Sequence, residues 1–187
     1  MKATWLAGML VGAALTCAPI DSLAQDEGKT AAAELEASSQ AALQQLTGSV
    51  PLAKAAAAQA HAILVFPKVT KAGLGVGGQY GEGALLKKGK ATGYYKTTGA
   101  SFGLQAGGQQ YGYAMFYMNE KALAQLDSAK GFEVGVGPSI VLVDEGMAKT
   151  TTTNTIKEDI VAFVFGQKGL MAGLGIQGNK ISKITPK

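Results

Sequence analysis

The chain has 187 residues, a formal net charge of +4 and a pI near 9.1. All 17 basic residues are lysine, and there is one histidine and one cysteine. Without arginine there is no bidentate fork for guanine or phosphate, and a single cysteine and histidine allow no intrachain disulfide, thiolate zinc site or histidine pair. The small positive excess is no nucleic-acid footprint, so nucleic acid is set aside as a partner.

Lys2 followed by the apolar run Trp5–Leu15 is the layout of a secretory signal, too short to span a bilayer as a helix. Ser22-Leu23-Ala24 fits small-x-small cleavage, which makes 1–24 the signal and 25–187 a single exported domain, periplasmic or secreted. The alternative takes Cys17 as a lipoprotein acceptor, although Ala14-Leu15-Thr16 lacks a leucine three residues upstream.

Thr30 to Leu46 is rich in Ala, Glu and Gln, with Leu35, Ala42, Leu43 and Leu46 along one side of an amphipathic helix. Thr47-Gly48-Ser49 ends it, and Ser49 and Pro51 serve as N-cap and early-turn proline of a second helix, Leu52 to about His61. Its run "KAAAAQA" suits close packing. Together these make a helical segment over 30–61.

Beyond His61 the composition is that of strands and turns. Strands are expected at Ile63–Phe66 (closed by Pro67), Leu74–Tyr80, Gly83–Lys87, Thr92–Thr97, Ser101–Gly107, Tyr111–Met118, Phe132–Val136, Ser139–Val143, Ile160–Phe165 and Leu170–Gln177. Asn119 caps a helix from Glu120 to about Ser128, and Thr150–Thr155 is a polar loop.

"AGLGIQG" at 172–178 contains the G-x-G-x-x-G spacing of a dinucleotide site, but only nine residues follow Gly178 and none is acidic. "AGLGVGG" at 72–78 nearly repeats it. In a strand Gly73, Gly75 and Gly77 share one flat face, with Leu74 and Val76 on the other. Such a face allows close approach of another element or a sharp bend. In "QYGYAMFYM", Tyr111, Tyr113, Met115 and Tyr117 alternate with Ala114, Phe116 and Met118, so this strand should be covered on both faces. The expected cover is the helices on one side and the opposite wall of a barrel on the other. An outer-membrane barrel is disfavoured because the expected strands fall short of about 9–11 residues.

The ordered landmarks "AILVFPKVTKAGLGVGG", "GEGALLKKGKATGYY", "GASFGLQAGGQQYGYAMFYMNEKAL", "GFEVGVGP" and "KGLMAGLGIQG" make the chain from Pro51 to Ile184 similar to the SYLF domain family, as a bacterial exported member. The resemblance implies an α+β, β-rich domain, a compact antiparallel β-barrel or sandwich-like sheet with N-terminal helices packed against it. It implies a non-catalytic module that docks on acidic phospholipids or phosphoinositides, with no cofactor. Where relatives carry arginine and tryptophan, "LLKKGKATGYY" offers Lys87, Lys88 and Lys90 with Tyr94 and Tyr95. The preceding helix displays Glu34 and Glu36 where relatives have a basic one. Actin binding does not carry over to an exported bacterial protein.

For lipid headgroups the candidates are Lys68 and Lys71, flanking the "FPKVTKAG" turn, and Lys87, Lys88, Lys90 and Lys96 around a hairpin loop, with Tyr94 and Tyr95 as interfacial aromatics. His61 is read as a capping or packing residue. Asp144-Glu145 and Glu158-Asp159 are read as solvated turns, Glu158 also closing a capping box with Thr155. Gly99-Ala100-Ser101-Phe102-Gly103 has the G-x-S-x-G spacing but runs into an expected strand and not a strand-to-helix turn, so neither Ser101 nor Ser139 or Ser182 is read as a nucleophile elbow. Two other readings remain: a structural or stress-related envelope protein acting through a protein partner or self-association, and a carrier of a small apolar ligand inside the barrel.

Overall fold

The computed structural model describes residues 21–126, 131–133, 140–143, 158–169 and 179–187. Helix α1 (Asp21–Ser49) and helix α2 (Pro51–Gln59) lead into β1 (Ala62–Lys87), β2 (Lys90–Tyr117), α3 (Glu120–Leu126), β3 (Phe132–Glu133), β4 (Ile140–Val143), β5 (Ile160–Gly169) and β6 (Lys180–Ile184). The strands form one curled, half-barrel sheet in which β2 pairs with β1 along one edge and with β6 and β5 along the other. All pairs are antiparallel except β4 with β5. The leader, the lipidation alternative at Cys17, the Thr-rich loop, Asp144-Glu145 and the glycine fingerprint at 173–178 lie outside the described residues.

The first helix is longer than its apolar pattern suggests, and its junction with α2 is built differently. Ser49 does not cap α2: its hydroxyl donates back to the Gln45 carbonyl at 2.9 Å, and Val50 stands at the N-cap with no side-chain bond. Pro51 takes the first-turn position, where a missing N–H leaves nothing unsatisfied. Asn119 does cap α3, its Oδ1 accepting the Ala122 amide at 2.8 Å.

Three expected strands fuse into β1 and three into β2. Pro67 does not end the first. At Phe66/Val69 the register shifts so that Pro67 and Lys68 together oppose Gly112, and this bulge absorbs the donor that proline lacks. On the opposite edge of β2 the register with β5 slips between Gln110 and Gly112, where Gly166 adopts φ +61°. Bulges on both neighbours therefore fall at adjacent residues of β2, that of β1 opposite Gly112 and that of β5 opposite Tyr111. Phe165 lies over Gly112; a Cβ there would fall 2.5 Å from its ring. Bulges raise local twist, and this level is where the sheet coils.

A third irregularity lies between Leu74 and Val76, inside the glycine-rich segment. There the expected single flat face of Gly73, Gly75 and Gly77 is interrupted, because the bulge breaks the alternation. Past it, β1 folds back over its own beginning. A Cβ on Gly81 would meet Val69 Cγ2 at 2.7 Å and the Lys68 carbonyl oxygen at 2.8 Å, and one on Gly83 would land on the Val65 carbonyl oxygen. Close approach is thus the reason for glycine at these two positions.

The curl separates two apolar clusters. Inside it, Leu64, Phe66, Tyr113, Met115 and Tyr117 pack with Tyr95, Phe132, Ile181 and the α3 residues Ala122 and Leu126. Outside it, Ala114, Phe116, Val161 and Phe163 pack under Leu46, Val50, Ala53 and Ala56 of α1 and α2. The strand ending in Tyr117 is therefore covered on both faces, as its alternation predicts. The Phe116 and Phe163 rings meet edge to face at 5.1 Å, and the α2 alanines seat that helix directly on the sheet. At 26 and 28 residues, β1 and β2 overturn the length argument against a membrane barrel. What marks these strands instead is that both faces of their paired ends are covered by protein. Among the described residues no helix is long and apolar enough to cross a membrane.

Candidate functional site: a pinned lysine hairpin

β1 and β2 are joined by the two-residue turn Lys88-Gly89, with Lys87 and Lys90 as the last pair across the strands. Lys88 has φ 50° and Gly89 φ 78°. Positive φ at both central residues is the type I′ geometry whose twist matches that of paired strands, and it favours Asn-Gly over Lys-Gly. Three lysines thus occupy four consecutive positions at one tip, all exposed.

Helix α1 holds that tip. Gln40 Nε2 donates to the Gly89 carbonyl at 2.8 Å, and the Ala91 amide donates to Glu36 Oε1 at 2.9 Å. Gln40 also donates to Glu36 at 3.1 Å, fixing the two helix side chains against each other one turn apart. On the strand side, Thr92 Oγ1 donates to the Leu85 carbonyl at 3.2 Å. The carboxylate of Glu36 thus serves the turn's backbone. Among the described residues no ion pair engages Lys87, Lys88 or Lys90.

The other sequence candidates do not join this tip. Lys96 lies six residues along β2, about 20 Å away at strand rise, opposite Glu82 on one side and Ser182 on the other. Lys68 sits in the Pro67 bulge and Lys71 beyond it, opposite Gln109; the segment that carries them is a bulged strand and not a turn. Tyr95 is 1% exposed in the inner cluster and so is a core residue, because its place in the β2 alternation points it into the curl. Tyr94, its neighbour, faces α1 and is half-buried. Burial, and then the charge of Glu36, raise its hydroxyl above the usual phenol value.

Several other titratable groups have structural partners. His61 neither caps nor packs: its side chain is exposed with Nδ1 4.0 Å from Glu120 Oε1, and its amide opens the sheet by donating to the Tyr117 carbonyl at 2.8 Å. Asp159 Oδ1 accepts from Asn119 Nδ2 at 2.7 Å, bracing the α3 cap. Inside the curl, Tyr111 donates to Gln79 Oε1 at 2.8 Å, and the Gln79 amide donates to Asn179 Oδ1. Burial pushes the Tyr111 hydroxyl up to about 12 and the Tyr113 hydroxyl higher still. These interior groups stay neutral near pH 7 and supply neither a nucleophile nor a base there. Among the described residues no cluster of His, Cys, Asp or Glu has the makings of a metal site.

Sequence reasoning located the lysine turn but missed Glu36 and Gln40 as its supports. Their spacing of four on a polar helix face is visible in the sequence, but contacts spanning 55 and 49 residues leave no local signal.

Residues 98–185 match the family model described as Ysc84: Las17-binding protein actin regulator. The match runs from the middle of β2 through β6, and the lysine tip lies before it. No curated protein matches the chain.

Proposed function

We propose, on the match of residues 98–185 to the Ysc84 (SYLF) family model, that this chain is an exported, non-catalytic module that docks on anionic phospholipid surfaces through Lys87, Lys88 and Lys90. The observation that carries this reading is Lys88. A residue with a Cβ in the left-handed region is held there against about 1–2 kcal/mol, and asparagine or glycine would relieve it. A lysine kept in that position, between two more lysines and on a tip braced by α1, makes sense as a presented charge. Each ammonium group near an anionic surface contributes about 1 kcal/mol, so three support weak, salt-sensitive docking. Phosphoinositides are favoured ligands because their headgroups carry several phosphate charges for the three ammonium groups to meet.

Co-sedimentation of the full chain with neutral and phosphoinositide-containing vesicles, at low and high salt, tests this reading. Binding to the anionic vesicles alone, lost in salt and on changing Lys87, Lys88 and Lys90 to Gln, is the expected result. Equal binding by that triple variant would refute the tip's role.

A second reading, a protein partner or self-association, draws on Val76 and Tyr80 of β1, which are 64% and 48% exposed. Sedimentation velocity across a concentration series would reveal self-association. The carrier reading draws less support, because large side chains such as Tyr113, Met115 and Tyr117 fill the inside of the curl.

A further inference from the structure

We infer that two copies of this chain meet through the part of the sheet's outer face that the helices leave bare, Tyr80 of each seated in a hollow at Gly78 and Ala100 of the other. The inference rests on the self-association reading and gives it a surface and a geometry.

Outside the curl, α1 and α2 pack over Ala84, Leu86, Ala91 and Tyr94. The same face of β1 and β2 runs on beyond them. Residues directly opposite each other on paired strands point to one side, so Tyr80 stands beside Thr98 and Gly78 beside Ala100. The intervening Gln79 and Thr97 are buried inside the curl. Among the described residues, Val76 and Tyr80 are the large apolar side chains left exposed, at 64% and 48%. They lie about 13 Å apart along the strand. Between them Gly78 and Ala100 are exposed and nearly flat. The Tyr80 hydroxyl donates to Glu82, two residues along the same face, which fixes the position of the ring.

Nothing within the chain calls for glycine at position 78. Gly81, Gly83 and Gly99 are each crowded by atoms of the same chain, and Gly89 and Gly166 have positive φ. A Cβ at Gly78 would meet the Gly99 carbonyl oxygen at an ordinary 3.9 Å, and its φ is not positive. Glycine weakens a strand interior and marks the close approach of another chain. At Gly78 that approach comes from outside the molecule.

The charged groups on this face are Glu82 opposite Lys96 and Lys180 opposite Glu133, two of each sign. The whole chain carries +4, so two copies repel in most orientations, and a charge-balanced face is where they can meet. The face also complements itself in shape. A two-fold axis between Gly78 and Tyr80 sets each tyrosine over the other copy's glycine, the reciprocal contact of an isologous dimer.

Sedimentation equilibrium of the full chain across a concentration series, at low and high salt, tests the inference. The expected result is a monomer–dimer equilibrium that persists in salt. Gly78→Val fills the hollow at a position where the fold has room for a Cβ, and Tyr80→Ser removes the side chain that enters it. Each should weaken the dimer at least tenfold. Changing Lys87, Lys88 and Lys90 to Gln should leave the dimer unchanged. A chain that stays monomeric throughout overturns both this inference and the self-association reading, including the case in which Tyr80→Ser lowers vesicle binding and so marks the face as a membrane contact. A dimer indifferent to both Gly78→Val and Tyr80→Ser overturns this surface and leaves self-association standing. The lysine tip is judged separately, by vesicle docking.

Discussion

Lys88→Asn separates the two roles assigned to the hairpin turn, because it should move stability and membrane binding in opposite directions. The residue stands at φ 50° beside Gly89 at φ 78°. Asparagine tolerates this region well and Asn-Gly is the preferred type I′ pair. Lysine is exposed here, so its replacement removes no packing. Relief of part of a left-handed penalty of about 1–2 kcal/mol predicts a gain of roughly 0.5–1 kcal/mol. Urea unfolding should show this as a higher midpoint at unchanged slope. Losing one ammonium group, worth about 1 kcal/mol near an anionic surface, should lower vesicle affinity about fivefold. Lys88→Gln is the paired control, with the same charge loss and none of the conformational relief. If the asparagine variant is no more stable than the glutamine variant, the turn is not strained as argued. If both bind anionic vesicles as the parent does, the tip does not carry the charge that matters.

Gly83→Ala should destabilise the fold by about 3 kcal/mol, since the new methyl would land on the Val65 carbonyl oxygen and 2.8 Å from the Phe66 ring. Gly48→Ala, where a Cβ meets nothing within 4 Å, should instead stabilise α1 by up to about 1 kcal/mol; thermal unfolding of the pair reports both signs. Glu36→Ala removes the acceptor of the Ala91 amide and should lose about 1 kcal/mol. Hydrogen exchange would then show the Ala91 amide exchanging faster while those of the inner strand positions hold. Alkali provides a fourth test. Tyr111 ionises at about 12 in the fold and near 10 when unfolded, with Tyr113 displaced further in the same direction. The unfolded chain therefore releases these protons first, so the stabilisation is complete below pH about 10 and is lost as pH rises through the folded values, at up to about 1.4 kcal/mol per pH unit for each ring. Phenolate absorbance should show late ionisation coupled to unfolding, and Tyr111→Phe should flatten the decline; early reversible ionisation of every tyrosine would refute it.

Much of the sheet was legible where a local period carries the signal. The alternation from Tyr111 to Tyr117 predicts two covered faces, and the two apolar clusters divide its residues as expected. The Asn119 cap and a lysine-bearing hairpin were legible for the same reason, since each depends on residues a few positions apart. Pro67 misled because a proline reads as a strand end until the partner strand is known to bulge around it. Tyr95 misled because sequence cannot tell which of two adjacent tyrosines faces inward when register is set by β1 and β6.

By itself, then, the sequence determined that helices lead into a glycine-rich, β-dominated sheet, which residues alternate across it, and that three lysines crowd one turn. These properties follow from covalent spacing and the short-range preferences of each residue. Tertiary structure alone decided that β1 folds back on itself at Gly81 and Gly83, that α1 braces the turn through Glu36 and Gln40, and that Lys68, Lys71 and Lys96 stand apart from it. Each of these depends on contacts between residues far apart in the chain. Glycine signals that something approaches closely, but only the folded chain shows what does.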